Sequence, residues 1–170
     1  MKYNNSSSNN SSNSSNNNRR NNGYTLIELM VVLSVLSILT IASLEGLFRS
    51  KANMDLNRAA YQLEAILKDC QSKAMYTGNY YKIEFYPSIN RYRVYRYNES
   101  IKELIKDVQL ENINLHDTNF TDRKVGFTKN GTPSMGGTVT LKNKYGKTLY
   151  VIMTPVTART RVSTKPPANW

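Results

Sequence analysis

Residues 24–44 read YTLIELMVVLSVLSILTIASL, 21 residues carrying one charge, Glu28. As a helix this run spans about 30 Å, the hydrocarbon thickness of a bilayer. A carboxylate inside such a helix costs roughly 2.5–3.5 kcal/mol on insertion, so Glu28 is a functional candidate by default. It needs a cation, and the run contains none. An ordinary secretory signal would offer Thr40-Ile41-Ala42 for cleavage. The run is too long for that, and a signal peptide gives Glu28 no purpose.

The flanks suggest where a cation comes from. Residues 1–22 are nearly all Asn and Ser and end in Arg19 and Arg20. Such a segment buries no apolar area and should be disordered. Its bases favour a cytoplasmic leader, although Arg49 and Lys51 beyond the run weaken the asymmetry. Cleavage after Gly23 would leave a free α-amine on Tyr24, four residues before Glu28. The amine–carboxylate pair could form within one chain or between an arriving subunit and its neighbour, where it would set axial register. Glycine at 23 suits a protease that approaches the backbone closely.

Composition narrows the rest. One cysteine, Cys70, excludes an intramolecular disulfide, and with one histidine, His116, the usual zinc and triad constellations are missing. The reading is a non-enzyme with no cofactor and no metal. Cys70 reads as a core residue and His116 as a surface or partly buried one. Beyond Asp122 the chain has nine bases and no acid, a balance that suits polyanions.

Past Gly46 the pattern turns amphipathic. Leu56, Ala60, Leu63, Leu67, Cys70 and Ala74 recur at three and four, one face of a helix running to about residue 77. Strands are expected at 80–86 and 91–97, then at 124–128, 138–142, 149–154 and 157–162, with turns at Lys129-Asn130-Gly131 and Tyr145-Gly146. Residues 101–116 fit a strand or a short helix. The tyrosines at 80, 81, 86, 92, 95 and 97 suit cross-strand packing better than a platform for stacking bases. The fold class is α+β, a long helix packed on antiparallel sheet.

Gly23-Tyr24-Thr25-Leu26-Ile27-Glu28 followed by Leu29-Met30-Val31-Val32 resembles the type IV prepilin and pseudopilin family, with Tyr24 in place of the common Phe. The resemblance implies a leader (1–23) cut after Gly23 by prepilin peptidase, and N-methylation of Tyr24. It also implies a transmembrane and assembly helix (24–48) with Glu28 as the assembly glutamate, and a basic pilin-like head (49–170). Partners would be the peptidase, other pilins and the cytoplasmic membrane. The head would lie outside, and the subunit would later enter a periplasmic or extracellular filament. Phe127-Thr128-Lys129-Asn130-Gly131-Thr132, Gly136-Gly137-Thr138 and Thr157-Ala158-Arg159-Thr160-Arg161-Val162 are similar to the GspH/FimT branch of minor pilins. The last element stands where that branch has a GRxR-type sequence associated with DNA binding, with Ala158 replacing Gly. Arg159 and Arg161 are therefore candidate DNA contacts. Two functions stay open, a structural subunit of a pilus, competence or type II secretion-like filament and a DNA-capturing minor pilin.

Overall fold

The structure is a computed structural model describing residues 24–98, 101–155 and 158–167, without the side chains of Ala42 and Ser43. Gly23 and Thr157 lie outside the described residues. Among the described residues one α-helix, α1 (Leu26–Thr77), is followed by eight strands. The chain divides after Ile41 into two compact units.

The second unit contains its whole core. The side chains of Leu56, Ala60, Leu63, Leu67, Cys70 and Ala74, spaced for one helix face, are all buried. Arg58, Lys68 and Lys73 are exposed on the remaining surface. The helix stops at Thr77 because Gly78 takes a left-handed conformation (φ 68°) and its N–H bonds the Ala74 carbonyl at 3.0 Å. Glycine adopts that conformation without a steric penalty.

The strands divide between two antiparallel sheets. The first has the order β3 (Ile101–Gln109), β2 (Arg91–Asn98), β1 (Tyr80–Tyr86), β5 (Lys124–Phe127). The second runs β4 (Ile113–Thr118), β6 (Gly137–Asn143), β7 (Thr148–Met153), β8 (Thr160–Ser163). The ambiguous stretch 101–116 is thus strand in both halves, and the last strand begins at Thr160 rather than 157. Asn90 links the two sheets. Its carbonyl accepts from Leu110 N–H at 2.8 Å and its Oδ1 from Leu115 N–H at 3.0 Å. Its φ of 50° is a conformation asparagine tolerates better than most residues.

One apolar cluster joins α1 to both sheets. Tyr81, Ile83, Phe85, Tyr92 and Val94 come from the first, and Leu115, Val139, Leu141 and Val151 from the second. Leu63 sits in this cluster with no exposed surface. Leu63→Ala should cost about 3–5 kcal/mol, the lost transfer energy plus the cavity left in a packed interior. Urea denaturation of the chain in detergent measures it, and an unchanged midpoint would contradict this packing.

Candidate functional site

At the start of α1, Thr25 caps the helix. Its Oγ1 accepts a hydrogen bond from Glu28 N–H at 3.2 Å, and its carbonyl takes the first helical bond, from Leu29 N–H at 3.2 Å. Thr25 is therefore the N-cap and Glu28 the third helical residue, the spacing of a capping box. An acid there also lies at the positive end of the helix dipole. Glu28 therefore sits in the first turn, at the mouth of the helix.

Below it the helix is prepared for an apolar medium. Ser34, Ser37 and Thr40 donate their hydroxyls to the carbonyls of Val31, Leu33 and Leu36, each at 2.7 Å. Their polar groups are satisfied within the helix, as lipid requires. The large apolar side chains of this unit are left uncovered, with Leu26, Ile27, Ile38 and Ile41 exposed over 68–77% of their surface. A helix here is long and apolar enough to cross a membrane. Among the described residues Glu28 has no cationic partner. The first base that follows it, Arg49, lies 3.7 Å from Glu45.

In the other unit, Ala158 and Thr160 are buried while Arg159 and Arg161 are exposed. Arg161 stands on β8 opposite Ile152. Arg159 precedes the strand, and its carbonyl accepts from Thr154 N–H at 3.1 Å. Alternation sends both guanidinium groups outward, and neither meets a carboxylate among the described residues.

The N-terminal sequence matches the family model described as the prokaryotic N-terminal methylation motif, over residues 18–44. The minor pseudopilin EpsH from the type 2 secretion system of Vibrio cholerae has a similar structure. It gives a TM-score of 0.56 at 11% identity, covering 64% of this chain and 96% of EpsH. The type IV minor pilin FimU of Pseudomonas aeruginosa, in one crystal form, gives 0.54 at 15% identity, covering 66% and 98%. A second crystal form gives 0.55 at 16%, covering 68% and 95%. The chain joins a prepilin-type N terminus to a pilin fold. No match was found among curated proteins.

Within the pilin fold the other sequence candidates fall into place. Cys70 is buried, and burial, with Asp69 nearby, pushes its thiol up to about 12. His116 is exposed on β4 at an irregularity between Leu115 and Asp117. The tyrosines separate by face. Tyr81 and Tyr92 enter the core, whereas Tyr80, Tyr86, Tyr95 and Tyr97 line the opposite side. There the rings are engaged. Lys102 Nζ lies 3.8 Å from the Tyr95 ring centre and the Arg93 guanidinium 5.4 Å from that of Tyr86. Tyr86 donates to Glu84 at 2.7 Å. This is cross-strand packing, as the alternation implied. Thr25 is the residue sequence reasoning passed over, although Thr-x-x-Glu before an apolar run is a legible cap.

Proposed function

We propose that this chain is a minor pilin or pseudopilin, a structural subunit that docks its apolar helix into a bundle of like helices. The observation carrying this reading is Glu28. It is an acidic side chain at the first turn of an unburied apolar helix, without a cationic partner among the described residues. Prepilin peptidase cutting after Gly23 would create the missing cation as the Tyr24 amine, which N-methylation leaves positive. The amine of one subunit and Glu28 of its neighbour then attract strongly in a low-dielectric bundle. That attraction sets the axial step, and van der Waals contact between the helices supplies the rest. Before docking, the same helix holds the subunit in the cytoplasmic membrane. The reading is tested by shearing filaments from cells that make them. The mature chain should co-sediment with them, and recovery only from the membrane would contradict it.

A second reading is favoured by the paired, outward and unneutralised Arg159 and Arg161 in an acid-free stretch. The head would hold DNA by phosphate contacts alone. Removing both side chains, Arg159→Ala with Arg161→Ala, should weaken binding about equally for unrelated sequences. It should also lower the slope of log affinity against log salt by about 2. If the native chain shows no salt-sensitive DNA binding, this role is lost and the structural one stands.

A further inference from the structure

The edge strand β3 (Ile101–Gln109) is unlike the others. Its outer side meets no strand among the described residues. It is exposed along nearly its whole length, with Ile101, Leu104 and Ile105 at 71, 50 and 40%. Long apolar edges invite pairing, and charges usually prevent it. Here the order of the charges does the reverse.

We propose that β3 pairs antiparallel with β3 of a second copy, in the register that sets Leu104 of one against Ile105 of the other. In that register Ile101 faces Val108, Lys102 faces Asp107 and Glu103 faces Lys106, and each pair occurs twice. Every charge meets its opposite and every apolar residue an apolar one. Neighbouring registers fail. Centring on Ile105 sets Glu103 against Asp107, and centring on Leu104 sets Lys102 against Lys106. In each case the two side chains lie on opposite sides of the sheet and cannot pair.

The strand's irregularity makes the favoured register possible. Leu104 pairs with Tyr95 and Lys106 with Val94, so Ile105 is an extra residue, a bulge. In a regular strand, residues of odd and even number point to opposite faces. The bulge shifts that alternation by one. Glu103 and Lys106 lie opposite Arg96 and Val94, on the core side, while Lys102 and Asp107 lie opposite Tyr97 and Arg93, on the outer side. The residues that must meet therefore share a face. Without the bulge they would not.

The symmetry axis of such a pair is perpendicular to the sheet, so strands and overlying helices of the two heads run in opposite directions. This contact joins heads of opposite polarity, in separate filaments or free in solution, and does not depend on the axial docking proposed above.

The test uses the full chain in detergent, where each apolar helix has its own micelle. Lys102→Cys with Asp107→Cys places opposed cysteines about 4.5–5.5 Å apart between Cα atoms, within disulfide range. Either single variant leaves them roughly 15 Å apart. With a copper oxidant, the double variant should give a covalent dimer and the singles should not. The native Cys70 is buried and stays out of the reaction. Adding Lys106→Glu should cut the dimer yield roughly tenfold, and adding Glu103→Lys to that should restore it. Sedimentation of the two charge variants without added cysteines should follow the same order. Equal cross-linking by the single variants, or no recovery on charge exchange, would overturn the proposal.

Discussion

Glu28→Ala should leave a chain that inserts and is processed normally but is absent from filaments. The substituted residue lies five positions past Gly23 and four past Tyr24, so the bond proposed to be cut keeps its immediate neighbours. What changes is docking. Removing one member of a desolvated ion pair leaves the other charge stranded, at a cost of about 3–5 kcal/mol. Docking affinity should fall by roughly two to four powers of ten. Quantitative immunoblotting of sheared filaments against total membranes measures this. Incorporation at the native level would remove the assembly role. The helix itself survives the change, since Thr25 still caps it through its own hydroxyl.

Gly23→Val should give the second large effect, a chain that keeps its Asn/Ser leader. A β-branched side chain at the residue before the proposed cut would block the backbone approach that glycine allows. With the leader retained, no new α-amine forms on Tyr24 to pair with Glu28. This variant should therefore be both full-length and missing from filaments. A processed product of native size would show that the protease does not read Gly23.

How far these conclusions could be drawn from sequence depended on the kind of signal. The buried face of α1 was legible residue by residue, because a period of 3.6 marks side chains that must share one surface. Strand faces were legible too, and the inward Tyr81 and Tyr92 follow from alternation. Partners were not, since alternation says which side a residue faces and nothing about which strand lies beside it. The division into two sheets, bridged by Asn90, was therefore hidden. The stretch 101–109 was ambiguous for a definite reason. Ile101, Leu104, Ile105 and Val108 have helical spacing, i, i+3, i+4 and i+7. In the structure the bulge at Ile105 absorbs the irregularity and tertiary pairing overrides the local period. At the candidate site, Glu28 stood out because a charge in an apolar run is costly. The cap by Thr25 is a short-range effect that its sequence spacing already announces. Arg159 was placed on a strand it only precedes, because β8 starts one residue later and Ala158 holds a left-handed turn at φ 50°.

The proposed assembly role of Glu28 requires a new positive chain end beside it. Intact-mass and N-terminal peptide analysis of the chain purified from sheared filaments tests it most directly. The first residue should be Tyr24, carrying one added methyl group on its amine. A filament-borne chain that still carries residues ahead of Tyr24 would rule it out.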